Sequence, residues 1–407
     1  MQLVAKGPQD KYLTSDNPQI TFFKSVYKKH TNFAIESIKQ EFDSGVDYGK
    51  TCVLTIDRNA DLINKMYLEV DISNIDANDE VSANLGTALI DEISIEIGGQ
   101  TIDTHYGHWL EVWAELTEKN TNYTTSQLSN ATTSLHNSGT KFQNLTCSGG
   151  VQGQTLTNAS GSIDKFFIPL QFWFNRYSGL SLPLVALQYH EVKLFVKFQS
   201  EDKVIQATGT SNAANTTLNV NLYSDYIYLD IEERKLFASN EHNYLIEQLQ
   251  YNKSNSTDTN IELTLNHPVK ELIWTGGTSD TAALNDGPTK GPSTPLAITD
   301  SNFKLLLNNK DRFKERNLKY FTRLQVWQYH SGCGGFTPGT SEISDSIAVY
   351  SFALNPEQYQ PSGTCNFSRI EDAFLYRSTG TQELNIYAIN YNILKITGGM
   401  GGLAYSN

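Results

Sequence analysis

Apolar residues recur along this chain in short bursts separated by polar punctuation, and within most bursts they alternate. Ala34–Phe42, Thr51–Ile56, Lys65–Ile72, Glu92–Ile97 and Lys165–Gln171 are runs rich in apolar or β-branched residues. His190–Gln199 and Leu222–Ile231 continue the series, and the same grammar resumes at Asn243–Tyr251 and runs to the end. Bounded by Gly, Asn and Asp, such runs predict strands with one inward face. Ile97-Gly98-Gly99-Gln100-Thr101 predicts a tight hairpin, because glycine reaches positive φ without steric cost. Helical spacing is rare. Gly107–Leu116 predicts one short helix. Asn17-Pro18, with Ile20, Phe23 and Tyr27 on one side, predicts another inside an N-terminal arm (1–33) that turns basic at Lys28-Lys29-His30.

The pattern also repeats. Ala34–Gln40 resembles Leu245–Tyr251, with Glu36 matching Glu247, 211 residues on. Val53–Asp57 resembles Glu262–Asn266, with Leu54 matching Leu263, 209 residues on. Each is followed by a further apolar run, Met66-Tyr67-Leu68 and Leu272-Ile273-Trp274. Phe167–Leu170 before Ser178-Gly179 parallels Phe352–Leu354 before Ser362-Gly363. Preserved order at a near-constant offset predicts a duplication. The expected architecture is all-β: two tandem eight-stranded jelly-roll β-sandwiches, a double jelly roll, with short connecting helices and long surface loops. The expected boundaries are 1–33 for the arm, 34–235 for the first roll and 236–407 for the second. Glu232-Glu233-Arg234-Lys235 reads as a charged, solvated segment leaving the first roll.

Three segments break the grammar. Thr117–Ser162, Gln206–Asn219 and Gly276–Ser301 are dense in Asn, Thr, Ser, Gly or Pro and read as exposed surface insertions, with Thr117–Ser162 and Gly276–Ser301 expected to face outward. Asn-x-Ser/Thr sequons stand at Asn122, Asn130, Asn144, Asn158, Asn215, Asn252 and Asn255, candidate glycosylation positions, with an eighth at Asn366 in a segment that reads as structural.

Composition narrows the class. The formal net charge is −13, which argues against a partner bound through a broad basic surface, so no direct nucleic-acid binding is expected. Aromatic residues make up 11%, too many for a disordered chain. Cys52, Cys147, Cys333 and Cys365 lack metal-ligand or redox spacing and read as free thiols in a reducing compartment. The N-terminus lacks the apolar core of a signal peptide, and no stretch approaches the roughly 20 apolar residues of a membrane span, so synthesis in the cytosol is expected.

Candidate chemistry is thin. His105-x-x-His108 brings two imidazoles near each other, yet no third ligand stands at a convincing spacing, and Trp109 and Trp113 mark a packed helix. Gly398-Gly399-Met400-Gly401-Gly402 lacks the following helix a phosphate loop needs. No nucleophile elbow occurs. No catalytic, cofactor-binding or metal residue is assigned, and no enzyme is expected.

Longer phrases carry a resemblance. Gly7-Pro8-Gln9-Asp10, Asn17–Lys24 and Val26–Phe33 at the start, Asp225–Asp230 and Tyr244–Gln248 in the middle, and Tyr350–Leu354, Gln360–Ile370 and Gly402–Tyr405 near the end are the phrases concerned. Together they resemble the major capsid proteins of nucleocytoplasmic large DNA viruses, especially those of algal phycodnaviruses and of iridoviruses. The resemblance implies a double jelly roll that forms a homotrimer, a pseudo-hexagonal capsomer tiled into the icosahedral shell of the virion. It implies neighbouring capsomers, minor capsid and penton proteins as partners, and an internal membrane close by. It places the arm at the inner base, with Ile20, Phe23, Tyr27, Lys28 and Lys29 as candidate assembly contacts. The alternative is a β-sandwich that binds or processes carbohydrate, to which jelly rolls and aromatics also lend themselves.

Overall fold

The computed structural model describes residues 7–9, 12–14, 17–76, 79–82, 84–119, 140–148, 161–206, 215–277, 293–338, 343–380 and 382–406. Sixteen strands form its framework. The first eight are β1 (Phe33–Gln40), β2 (Thr51–Thr55), β3 (Leu62–Ile75), β4 (Ile90–Ile97), β5 (Gln100–Tyr106), β6 (Gly161–Pro169), β7 (Val192–Phe198) and β8 (Thr217–Leu229). They pair antiparallel in two sheets, β1-β8-β3-β6 and β2-β7-β4-β5. The next eight are β9 (His242–Lys253), β10 (Asn260–Glu262), β11 (Pro268–Gly276), β12 (Asn302–Leu307), β13 (Lys310–Asp311), β14 (Ile347–Ser351), β15 (Ala373–Arg377) and β16 (Leu384–Thr397). Their sheets run β9-β16-β11-β14 and β10-β15-β12-β13. Adding eight to each strand number of the first pair gives the second. Each pair is a jelly roll, and the fold is the expected all-β double jelly roll.

Period-two alternation drives both rolls. In β3, Met66, Leu68, Val70 and Ile72 are buried while Tyr67, Glu69 and Asp71 turn outward. In β11 the inward pair is Leu272 and Trp274, which stacks near Phe303 and Phe321 at 5.4 and 5.1 Å between ring centres. The β4–β5 hairpin turns on Gly98 and Gly99, at φ 59° and 85°. At Gly98 a Cβ would lie 2.2 Å from His190 Nδ1, so the turn needs glycine twice over. Each roll has its own core, though Ile246, Leu394 and Ile396 of the second half join the first.

Short helices fill the connections: α1 (Leu85–Ala88), α2 (Gly107–Thr117), α3 (Lys141–Thr146) and α4 (Trp173–Arg176). Between the rolls the charged segment is itself a helix, Ile231–Ser239, with no buried residue. Asp230 accepts from Ile231 N at 2.7 Å, and Glu232 and Glu233 occupy the first turn, where the helix dipole favours them. The expected 235/236 boundary falls inside this helix.

Two expectations are corrected. Residues 17–32 form turns and extended chain, not a helix, and Ile20, Phe23 and Tyr27 are 70%, 99% and 81% exposed. An isolated helix this short is marginal in water, and the chain offers no surface to cover its apolar side. The long polar segments are also not wholly surface. Residues 140–148 build α3, with Phe142, Gln143 and Thr146 buried, and Ser293 and Thr294 are buried as well. Hydrogen bonding, not apolar content, brings these polar side chains inside.

Candidate functional site

The most elaborate site among the described residues is the seam between the rolls, and α2 is its axle. Gly107 opens the helix where a Cβ would meet Thr87 O at 1.9 Å and Ile90 O at 2.3 Å, so only glycine lets the helix sit this close. From there the helix shows three faces. Leu110 and Ala114 enter the first core. Trp109, Val112, Trp113 and Leu116 pack on Ile273, Ile347, Val349, Tyr387 and Ile389, on the outer face of the second roll's β9-β16-β11-β14 sheet. Trp109 lies 5.1 Å from the Tyr387 ring, and His108 Nδ1 is 3.0 Å from the Tyr387 hydroxyl. Burial holds the His108 pKa down at about 4, so this imidazole is neutral.

The third face is polar. Gln143 Nε2 of α3 donates to Glu111 Oε1 and Glu115 Oε1, both at 2.6 Å. Burial, then the neighbouring Glu115, pushes the Glu111 carboxyl up to about 8. Thr87 bridges onward to Ser293 at 2.9 Å, and Asn84 Nδ2 donates to Thr294 at 3.1 Å. The second half thus closes over the first through hydroxyls and amides.

The far end of α2 is capped by the other roll. Gly332 N donates to Leu116 O at 2.7 Å, Gly334 N to Glu115 O at 3.0 Å, and Ser331 Oγ to Thr117 O at 2.7 Å. These are the carbonyls a helix end leaves without partners. His330 anchors the capping segment, with Nε2 3.0 Å from Glu271 and Nδ1 3.1 Å from Glu357. Burial alone would lower its pKa, but the two carboxylates prevail and raise it to about 9. Arg176 of α4 pairs with Glu247 of β9 at 3.0 Å and lies over the Trp113 ring. Glu247 also accepts from Lys270 at 2.6 Å. The buried Glu247, Lys270, Glu271 and His330 charges each have an opposite partner, as burial demands.

Nothing in this arrangement pairs a nucleophile with a base facing open space. It locks two sandwiches into one body. His105 sits on β5, 3.0 Å from Asp103 and stacked on Phe172, apart from the Tyr387 contact of His108. Gly398–Gly402 turns the hairpin between β16 and the closing strand Met400–Leu403, where Gly401 N donates to His190 Nδ1 at 3.2 Å.

Of the sequon positions, Asn122, Asn130 and Asn158 lie outside the described residues. Asn144 is exposed on α3, and Asn215 and Asn255 are exposed in loops. Asn252 lies on β9, where its Nδ2 donates to Glu262 O at 2.9 Å. Lys28 and Lys29 extend from the exposed arm. Sequence reading missed the seam itself. Its only signal was the Trp109/Trp113 pair in a short helix.

Comparison with known proteins places the whole chain. Residues 21–230 match the family described as major capsid protein N-terminus, and residues 233–402 match large eukaryotic DNA virus major capsid protein. The major capsid protein of Pyramimonas orientalis virus is 43% identical, across 100% of this chain and 99% of that one. That of Paramecium bursaria Chlorella virus 1 is 37% identical over the same shares. The quasi-atomic model of the PBCV-1 virus capsid superposes with a TM-score of 0.73 at 33% identity, covering 95% of this chain and 100% of that one. The carbohydrate alternative finds no support among these relatives. The chain belongs to the major capsid proteins of large eukaryotic DNA viruses.

Proposed function

We propose that three copies of this chain close into a pseudo-hexagonal capsomer that tiles an icosahedral shell, a structural and not a catalytic role. The observation that carries this reading is the duplication: two rolls with the same strand order, locked by one seam. Three such chains give six similar units, and a heterologous contact repeated about a three-fold axis closes on itself. The units are the rolls 34–235 and 236–407, preceded by the arm 1–33.

In this reading neighbouring capsomers meet through the roll sides, and minor capsid and penton proteins meet the base near the internal membrane. The exposed arm supports an inward contact role for Ile20, Phe23, Tyr27, Lys28 and Lys29, because these side chains bury nothing within the chain. Glycans, where attached, belong on Asn144 or Asn215, whose side chains are exposed. Asn252 and Asn255 have their amides engaged, on Glu262 O at 2.9 Å and Asp258 at 3.0 Å.

Size-exclusion chromatography with light scattering tests the assembly state, and electron microscopy of particles tests the shell. A mass of three chains and hexagonal capsomers are expected. A chain that stays monomeric at high concentration overturns the reading.

A further inference from the structure

We infer that the helical segment 320–329 and the outer face of the β1-β8-β3-β6 sheet are the plug and socket of one joint, made between two copies of this chain. This rests on the trimer proposed above and names the side chains that hold it. The template is the seam. There a helix that follows β5 sets Trp113 and Leu116 against the outer face of the second roll's sheet, where Ile273, Ile347 and Tyr387 lie. The second roll carries a helix at the matching place, between β13 and β14. Its Phe321 enters the second core as Leu110 enters the first. Residues 110 and 321 are 211 apart, the offset that relates Glu36 to Glu247.

At that offset Leu324 stands for Trp113 and Trp327 for Leu116. Trp113 and Leu116 are buried, whereas Leu324 is 43% and Trp327 78% exposed. An exposed Trp beside an exposed Leu, on a helix whose Phe321 enters the second core and whose Val326 joins the seam, marks an interaction surface.

Strand register locates the socket. Ile273 pairs with Tyr387 across β11 and β16, as Tyr67 pairs with Tyr223 across β3 and β8. Thr275 pairs with Ile347 across β11 and β14, as Glu69 pairs with Phe167 across β3 and β6. The counterparts of Ile273, Tyr387 and Ile347 are therefore Tyr67, Tyr223 and Phe167. These three form an aromatic cluster, Tyr67 stacked on Tyr223 at 5.5 Å and edge-on to Phe167 at 5.9 Å. They stay half-buried, while their counterparts in the second roll are fully covered by α2.

Charge is mixed on both sides. Glu315 stands among the exposed Arg312, Lys314, Arg316 and Lys319 before the plug helix. Beside the aromatic cluster Glu69 is already paired with Lys165 at 3.0 Å, so the apolar contact carries the joint. Plug and socket are both uncovered on the same chain, so they do not meet each other. The occupant is a second copy, and the joint is heterologous.

Two double variants test it by light scattering. The first, Leu324→Ser with Trp327→Ser, removes the plug; the second, Tyr67→Ser with Tyr223→Ser, alters the socket. Wild type is expected as a trimer, each variant alone as a monomer with an unchanged far-UV circular dichroism spectrum. A 1:1 mixture of the two is expected to give the mass of two chains and stop there, since each brings one intact face. Variants that remain trimeric, or folded variants whose mixture stays monomeric, overturn the joint and leave the trimer standing. A monomeric wild type overturns both. If the socket variant does not fold, the plug variant decides alone, because its side chains face solvent.

Discussion

At the scale of single residues, the seam responds to pH through Glu111 and His330, which act in the same direction, and through His108, which acts against them. Glu111 holds its proton to about 8 in the folded chain, against an ordinary 4.5, and His330 holds its charge to about 9, against 6.5. A pKa raised on folding means that the folded state binds the extra proton, so its stabilisation is complete below the unfolded value and fades as pH rises through the folded one. His108, whose pKa burial lowers from 6.5 to about 4, contributes stability that grows as pH rises to 6.5 and offsets Glu111 there. Thermal stability should therefore fall from about pH 6.5 to pH 9, in calorimetry or dye-based melting. Glu111→Gln keeps the shape and removes the titration, so it should reduce the fall between about 6.5 and 8, leave the His330 part in place and expose the His108 rise below 6.5. An unchanged profile would show that the carboxyl ionises freely. Gly332 offers a steric test: a Cβ there would stand 2.3 Å from Glu115 O. Gly332→Ala should cost about 2–3 kcal/mol, read as a lower denaturant midpoint, because backbone must shift to admit it.

Among the elements, α2 and the N-terminal arm are opposites. Every residue of α2 from Gly107 to Leu116 is buried, and its aromatic face meets the other roll. Trp109→Ala should cost about 3–5 kcal/mol, the usual range for emptying a large buried aromatic site. Every described residue of the arm from Pro8 to Phe33 is exposed. Deleting residues 1–30 should leave the melting temperature of the chain unchanged while shell assembly fails. A lower melting temperature would reveal an intramolecular stabilising role, and normal shells would remove the arm from assembly.

For the molecule as a whole, the seam couples the rolls. Apolar packing, capped helix carbonyls and the Arg176–Glu247–Lys270 charges bridge the two halves. A single cooperative transition is expected in scanning calorimetry. In the double variant Trp109→Ala, Trp113→Ala it should separate into two, one for each roll. If the wild type already shows two transitions, the coupling across the seam is weaker than its contacts imply.

Strand alternation, the Gly98-Gly99 hairpin, the helix at 107–116 and the repeat were legible in the chain because each is local physics: a two-residue period, a positive φ, a 3.6-residue period and copied sequence. The family phrases made the capsid role legible too. What local patterning could not decide was the fate of segments whose partners lie far away. Ile20, Phe23 and Tyr27 have helical spacing, yet spacing forms a helix only where a surface receives it, and within the chain none does. Gln143, Ser293 and Thr294 read as loop residues because they are polar, yet Glu111, Thr87 and Asn84 meet them in the interior. Trp109 and Trp113 announced packing without saying against what. Only the tertiary structure supplied Ile273, Tyr387 and Ile389, since a residue's burial depends on what the rest of the chain brings to it.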